Sequence, residues 1–279
     1  MIVFPRIEVH AVDHCTLSCI GCNHGSHLLK NKSYCAEDYI PWLDLLKSKG
    51  HNWDWLVVSG GEPFMLKDGL NVFCSTLKKR YGSFIELFTN AFWLSGPEVI
   101  ETYKQTFESI NRIMFSFYKP YTDKYGFDNM QNLVNQIRDR FNLQTGAFQP
   151  SGVSGFGQVM FSEEPNPNPK KLCPVKDCSQ LTKEGIIYRC TYGHYLKTSV
   201  VTDGFKCSKD IKFDLNTDLD TRDIIEWRKK WPLDSCSYCG CGEDIIWLKW
   251  KSDPKTKNMS KEEYRKTIQE MMRKEKLFL

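Results

Sequence analysis

The stretch Cys15-Thr16-Leu17-Ser18-Cys19-Ile20-Gly21-Cys22 decides how this chain is interpreted, because its cysteines are spaced C-x3-C-x2-C. It directly follows an apolar alternating stretch, Ile7 to Val12, which is typical of a strand. Thiolates on one tight loop can bind three irons of a [4Fe–4S] cube and leave the fourth iron open to a small chelating ligand. The stretch therefore predicts an iron–sulfur site at the end of a strand.

A second motif, Ser59-Gly60-Gly61-Glu62-Pro63, also follows an apolar run, Trp55 to Val58. A glycine pair at the end of a strand lets the backbone approach a ligand closely. Strand-like and helix-like segments alternate up to about residue 160, which predicts an α/β fold with a parallel sheet covered by helices. Ligands of such folds lie at the carboxyl ends of the strands, where both motifs fall.

The predicted elements are consistent with a partial (β/α)6 TIM-like barrel rather than a closed eight-stranded one. The predicted helices span 36–49, 68–81, 97–107 and 128–141, and the predicted strands span 6–12, 55–59, 84–89, 112–117, 142–148 and 156–161.

Together the two motifs resemble the signature of the radical S-adenosylmethionine (radical SAM) enzymes. The resemblance implies that Cys15, Cys19 and Cys22 bind a [4Fe–4S] cluster, and that the methionine part of SAM chelates its open iron. It also implies that Gly60, Gly61 and Glu62 hold the SAM amino group. The chain departs from the family at Gly21, where an aromatic residue usually packs near the adenine, so one adenine contact is in doubt. The resemblance further implies SAM-contacting polar groups at strand ends, here Asn90 and Ser116.

A second set of cysteines follows a proline-rich stretch at 162–171, and part of it resembles the Twitch extension, a shortened SPASM domain. That extension holds an auxiliary [4Fe–4S] cluster with C-x(9–15)-G-x4-C and a later C-x2-C. The match falls on Cys173, Gly185, Cys190, Cys236 and Cys239. A structural zinc site is the alternative for these four thiolates.

Other cysteines keep several interpretations open. Cys178, Cys207 and Cys241 are ambiguous: one could replace a ligand, and Cys178 or Cys207 could donate a hydrogen atom to a substrate radical, as in radical SAM epimerases. Cys35 and Cys74 lie in helical patterns and are expected to be buried, inert thiols.

The domain organisation predicted from these patterns has four parts. They are a radical SAM core at 1–161, a linker at 162–171, a Twitch-like extension at 172–248 and a basic helical tail at 249–279. The tail carries ten basic and five acidic residues within a net charge of +4 for the chain. It is expected to be a solvated amphipathic helix with Tyr264, Ile268, Met271 and Met272 on one face, although a basic tail can also contact nucleic acid.

The 279 residues contain no apolar run near the ~20 residues that a membrane helix needs. Twelve cysteines without a visible signal peptide argue for metal or redox chemistry and predict a cytoplasmic protein.

The resemblance implies hydrogen abstraction by a 5′-deoxyadenosyl radical, with an electron donor of the flavodoxin or ferredoxin type. The favoured outcome is two-electron oxidation of a sugar-like, cyclitol or other small polar metabolite, with the auxiliary cluster accepting the second electron. Epimerisation or peptide modification is the alternative enzyme reaction. A zinc-stabilised, cysteine-rich module that binds nucleic acid is the alternative of another class.

Overall fold

The computed structural model defines the fold over most of the chain. It describes residues 1–22, 24–26, 29, 31–148, 156–158, 173, 176–195, 211–217, 221–238, 246–248, 250–260, 262–264, 266–267 and 270–271. Cys207, Cys239, Cys241 and the linker at 162–171 lie outside these residues.

The architecture is mixed α/β and is organised around one eight-stranded sheet in the order β5-β4-β3-β2-β1-β7-β8-β9. The pairings from β5 to β7 are parallel, and those of β8 and β9 are antiparallel. The strands of the large sheet are β1 (Val3–Val12), β2 (Asn52–Gly60), β3 (Phe84–Thr89), β4 (Arg112–Ser116), β5 (Gln144–Phe148), β7 (Cys178–Leu181), β8 (Ile186–Tyr188) and β9 (Lys212–Asp214).

The sixth parallel strand is not the one that the sequence predicts. The predicted strand at 156–161 is represented by β6 (Phe156–Gln158), which pairs antiparallel with β10 (Ile246–Leu248) in a separate two-stranded sheet. The sixth parallel strand is instead β7, which joins the free edge of β1. Strands on both sides of the predicted boundary at 161 thus belong to one sheet, because an edge of β1 left unpaired would expose its backbone donors and acceptors.

The helices of the described residues include the four predicted segments, two of them interrupted, and further helices at 119–125, 191–195 and 221–229. They are α1 (Ile40–Ser48), α2 (Asp68–Tyr81), α3 (Glu98–Thr102), α4 (Lys104–Ser109), α5 (Lys119–Tyr125), α6 (Phe127–Phe141), α7 (Thr191–Tyr195) and α8 (Thr221–Lys229). The predicted helix 36–49 divides into a 3-10 turn, Ala36–Asp38, and α1, while 97–107 divides at Tyr103 into α3 and α4. No helix among the described residues is long and apolar enough to cross a membrane.

Helix α2 shows how the core forms. Leu70, Phe73, Cys74 and Leu77 recur at helical spacing and are buried, so the prediction of a buried thiol at Cys74 is confirmed. The helix ends at Gly82, whose φ of 62° is the left-handed conformation that a helix C-terminus favours. Cys35 is exposed, and the prediction of a buried thiol there is wrong, because it precedes the Ala36–Asp38 turn instead of lying inside a helix.

The two faces of the sheet differ in polarity because side chains alternate along a strand. On β1, Ile7, Val9 and Ala11 are fully buried in the main hydrophobic cluster. Glu8 and His10 point to the opposite face, where Glu8 contacts Ser59 of β2 and Cys178 of β7. This second face is therefore polar, although Glu8 and His10 are also buried.

Candidate metal and cofactor site

The predicted cofactor residues converge on one cavity, here called the strand-end cavity, of about 210 Å³. It lies where β1, β2, β3 and β4 end, which is the edge at which parallel α/β sheets bind ligands. Its lining includes Cys15, Cys19, Cys22, Gly60, Gly61, Asn90 and Ser116, together with His24, Ser59 and Tyr118. Glu62 is absent from this lining.

The three thiols suit a polynuclear cluster better than a single ion. Their Sγ atoms do not all lie within 4.8 Å of one another. A tetrahedral zinc site with Zn–S bonds of about 2.3 Å would separate adjacent sulfurs by only about 3.8 Å. Burial raises the pKa of Cys15 to about 12, and it also raises the pKa of Cys19, where the neighbouring Cys22 adds to the effect. Bound iron would stabilise the thiolates that the protein alone disfavours.

Hydrogen-bond donors contact the sulfurs of Cys15 and Cys19. The backbone N–H of Leu17 and the amide Nδ2 of Asn90 each lie 3.4 Å from the Cys15 Sγ. The indole Nε1–H of Trp250 donates to the Cys19 Sγ at 3.2 Å. Donors to ligating sulfur stabilise the reduced state of an iron–sulfur cluster, so these groups suit redox chemistry. No local pattern in the sequence predicts the role of Trp250, because it lies 231 residues from its partner.

The two glycines are required by backbone packing between β2 and the cysteine loop. The Gly61 N–H donates to the Val12 carbonyl at 2.8 Å, and the Glu62 N–H donates to the His14 carbonyl at 3.0 Å. A Cβ at Gly60 would lie 2.0 Å from the Val12 oxygen, and one at Gly61 would lie 1.9 Å from the His14 oxygen. The glycines are predicted from the sequence to allow close approach of a ligand, whereas the structure shows that chain pairing already excludes a side chain at both positions.

Glu62 is a buried organising group. Its carboxylate accepts hydrogen bonds from the Phe64 N–H at 3.2 Å, the Thr89 hydroxyl at 2.8 Å and the Asn90 N–H at 2.5 Å. Burial raises the pKa of Glu62 to about 7, and these three bonds oppose the increase. The carboxylate thus fixes the end of β3, where Asn90 also donates to Thr16 of the cysteine loop at 2.9 Å.

The C-terminal segment covers the cysteine loop. The Ile20 N–H donates to the Lys251 carbonyl at 2.9 Å, and the Gly21 N–H donates to the Tyr264 hydroxyl at 2.7 Å. Tyr264 and Met271 are buried, so the prediction of a solvated helix is wrong for these two residues. Ile268 and Met272 lie outside the described residues. The two described members of the predicted apolar face are therefore buried, and the pattern did not predict the contact of Tyr264 with the cysteine loop.

Cysteines of the second set lie close to a small hydrophobic cluster of Tyr188, Ile211 and Leu233. Cys236 packs against this cluster, and Cys190 follows Tyr188 by two residues at the end of β8. Cys173, Cys190 and Cys236 are all half-buried, whereas their predicted fourth partner, Cys239, lies outside the described residues. Cys178 is elsewhere in this region, on the polar face of β7, with its Sγ 3.6 Å from the Glu8 carboxylate.

A buried group of charged and polar side chains next to the strand-end cavity was missed in the sequence. Ser59 donates to Glu8 at 2.7 Å, and the His10 Nε2 lies 3.0 Å from the same carboxylate. Burial opposes both charges, but bonds from His10 and His24 hold the pKa of Glu8 well below its ordinary value. Asp13 and Glu8 raise the pKa of His10 to about 9. Charged residues within an apolar strand are the signal that could have identified this group.

Comparison with known proteins found only distant similarity. No protein-family model and no curated protein match the chain. The solved structure "Crystal structure of BtrN in complex with AdoMet and 2-DOIA" matches at 14% identity and a TM-score of 0.48, covering 85% of this chain and 92% of that one. HydG, "a maturase of the [FeFe]-hydrogenase", matches at 14% identity and a TM-score of 0.36, over 53% of this chain and 34% of that one. AnSMEcpe with bound AdoMet and a peptide matches at 15% identity and a TM-score of 0.34, over 52% and 42%.

Replacing Gly61 by alanine is expected to destabilise the chain by more than about 3 kcal/mol, because the new methyl group collides with a backbone oxygen that cannot move independently. Gly82→Ala is the matched control: its φ is 62°, but nothing lies within 4 Å of the added Cβ. The free energy of unfolding of Gly82→Ala should fall by only about 1 kcal/mol, because alanine disfavours the left-handed conformation. Urea unfolding of both variants measures the difference, and equal losses would contradict the packing explanation.

Tyr264→Phe should leave the buried Gly21 N–H without its acceptor and cost about 1–3 kcal/mol of stability. Iron bound at the cysteine loop should also be released faster to a chelator. Tyr125→Phe removes the same atom from a half-buried tyrosine on α5 and serves as the control. If both variants release iron at the rate of the unmodified chain, the C-terminal segment does not protect the loop.

Proposed function

We propose that this chain is a radical SAM enzyme. The observation that carries the proposal is the convergence of the C-x3-C-x2-C thiols with Gly60, Gly61, Asn90 and Ser116 on one cavity at the carboxyl ends of parallel strands. Cys15, Cys19 and Cys22 would hold a [4Fe–4S] cluster, and the cavity beside them would hold SAM. When bound, these cofactors would supply a 5′-deoxyadenosyl radical for hydrogen-atom abstraction.

The side chains around the cavity support distinct roles. The glycine pair brings the end of β2 against the cysteine loop, so SAM would meet backbone groups there. Glu62 positions Asn90 through the backbone N–H, and Asn90 in turn contacts the Cys15 sulfur. We infer that Glu62 contributes to SAM binding by fixing this strand end, since its carboxylate is fully buried and already accepts three hydrogen bonds.

The reaction proposed for the substrate is a two-electron oxidation of a sugar-like, cyclitol or other small polar metabolite. The cavity lining is compatible with such a substrate, because Ser59, Asn90 and Ser116 contribute hydrogen-bonding groups to it. An auxiliary [4Fe–4S] cluster held by Cys173, Cys190, Cys236 and Cys239 would accept the second electron. The packing of Cys236 on the cluster that includes Tyr188 supports the proximity of this turn to Cys190. A flavodoxin- or ferredoxin-type protein would supply the first electron.

Epimerisation is the second candidate, and its proposed hydrogen-atom donor is Cys178. The Cys178 Sγ lies 3.6 Å from the Glu8 carboxylate, at the start of β7 where Cys178 pairs with Arg6. Cys207, the other donor proposed from sequence, lies outside the described residues.

Anaerobic reconstitution of the full chain should give about eight irons and eight sulfides, because two cubes are expected. Changing Cys15, Cys19 and Cys22 together to alanine should leave about four of each, whereas Cys35→Ala, which changes an exposed cysteine outside both predicted sets, should leave the content unchanged. Iron and acid-labile sulfide are measured on the same samples. A content of four irons and four sulfides in the unmodified chain would remove the auxiliary cluster from the proposal.

Incubation with SAM and a panel of polyols and amino-polyols decides between the two reactions. Oxidation yields a product two hydrogens lighter, and Cys236→Ala should prevent its formation while SAM cleavage continues. Epimerisation yields a product of unchanged mass that carries one deuterium from heavy water. Mass spectrometry distinguishes the outcomes, and deuterium incorporation that is lost in Cys178→Ala would replace oxidation by epimerisation.

A further inference from the structure

Besides the cysteine sulfurs, three side-chain atoms near the strand-end cavity could bind a metal ion. One nitrogen each of His10 and His24 and one carboxylate oxygen of Glu8 all lie within 4.8 Å of one another. The Glu8 Oε1 is 3.0 Å from the His10 Nε2 and 3.4 Å from the His24 Nε2. Adjacent donors in a tetrahedral site with bonds of about 2.0–2.1 Å are about 3.3 Å apart, so this spacing fits one small metal ion.

Asp13 orients His10 as a metal-binding histidine is usually oriented. Its carboxylate oxygen lies 3.3 Å from the His10 Nδ1, and the Tyr34 hydroxyl donates to its other oxygen at 2.5 Å. A carboxylate only accepts hydrogen bonds, so the Nδ1 must carry a proton. That leaves the Nε2 directed at Glu8, and a carboxylate behind a ligating imidazole is the common arrangement around protein metals.

Gln180 supplies an independent indication of a ligand. Its amide nitrogen lies 3.1 Å from the same His10 Nε2, which is also 3.0 Å from Glu8. If the His10 Nε2–H donates to Glu8, it cannot also accept from this amide. The Gln180 Oε1 is buried and has no hydrogen-bond partner among the described residues. Rotating the Gln180 amide by 180° exchanges its nitrogen and its oxygen. The oxygen then lies next to the His10 Nε2, where it could serve as a fourth metal ligand.

We propose that Glu8, His10 and His24, with the Gln180 amide oxygen, form a binding site for a divalent first-row transition ion. Two imidazoles with carboxylate and amide oxygens suit Zn²⁺, Fe²⁺ or Mn²⁺, and lack the sulfur donors that iron–sulfur clusters require. On binding, the ion replaces the proton between His10 and Glu8, and that proton is released to solvent. His24 lines the strand-end cavity, so the ion would border it and could bind a hydroxyl oxygen of a substrate. The site does not depend on the proposed radical chemistry.

Zinc binding tests the site in the full, anaerobically reconstituted chain. After equilibrium dialysis against Zn²⁺, zinc, iron and sulfide are measured in the same sample. The unmodified chain should retain one zinc, and Glu8→Gln and His24→Ala should retain none. His51→Gln, which changes a buried histidine whose Nδ1 accepts from the Ile2 N–H, is the matched control and should retain the zinc. Asp13→Asn should weaken zinc affinity by about 10–100-fold, because it removes the support of a ligand and not the ligand itself.

X-ray absorption at the zinc edge separates this site from the cysteines. The expected spectrum shows nitrogen and oxygen neighbours at about 2.0–2.1 Å without a sulfur shell at about 2.3 Å. If Glu8→Gln does not fold, His24→Ala still tests the site. The His24 side chain is 33% exposed, so its loss should disturb folding less than a change at buried Glu8. Absence of bound zinc, a sulfur shell, or zinc retained by His24→Ala would overturn the proposal. Low iron and sulfide with zinc retained would instead count against the proposed iron–sulfur clusters alone.

Discussion

The site depends on the backbone pairing between the end of β2 and the loop that follows β1. Two hydrogen bonds, from Gly61 to Val12 and from Glu62 to His14, continue the parallel pairing of the strands into the cysteine loop. The chains approach so closely that a methyl group at Gly60 or Gly61 would overlap a carbonyl oxygen. This pairing fixes the position of Cys15 relative to the sheet. The cavity is therefore bounded by residues that the strands hold in place. A site held on regular elements in this way keeps its geometry better than one formed by loops alone.

Glu62 connects the end of β2 with the end of β3, both of which border the cavity. A buried carboxylate is costly unless donors surround it, and here three donors come from the turn after β2 and from the end of β3. These bonds require a single arrangement of the two strand ends, because moving either one would leave the carboxylate unsatisfied. Asn90 is held in the process and contacts the cysteine loop through both Cys15 and Thr16. Glu62 thus acts on the thiols through Asn90 and not by direct contact.

The polar face of the sheet and the C-terminal segment both contact the elements that form the cavity. Glu8 and His10 lie on β1 only two residues apart, yet their partners Ser59 and Gln180 come from the strands on either side. From the C-terminal segment, the Trp250 indole donates to the Cys19 sulfur and the Tyr264 hydroxyl accepts from the Gly21 N–H. Residues separated by more than two hundred positions therefore enclose one small volume. Desolvation of the thiols by this enclosure is the physical origin of their raised pKa values.

The sequence by itself determined the features that are encoded locally. Alternating and helical apolar patterns predicted β3 and α2 with the bounds that the structure has, and the motif spacing placed Cys15, Cys19, Cys22, Gly60 and Gly61 at strand ends. Their assignment as cofactor ligands stays a prediction. Only the tertiary structure decided that β7 completes the parallel sheet beside β1, that Glu62 points into the protein and that Tyr264 covers the cysteine loop. The reason is that periodicity reports which side of an element is buried, whereas the partner that buries it is chosen by long-range packing and hydrogen bonding, which leave no local pattern in the chain.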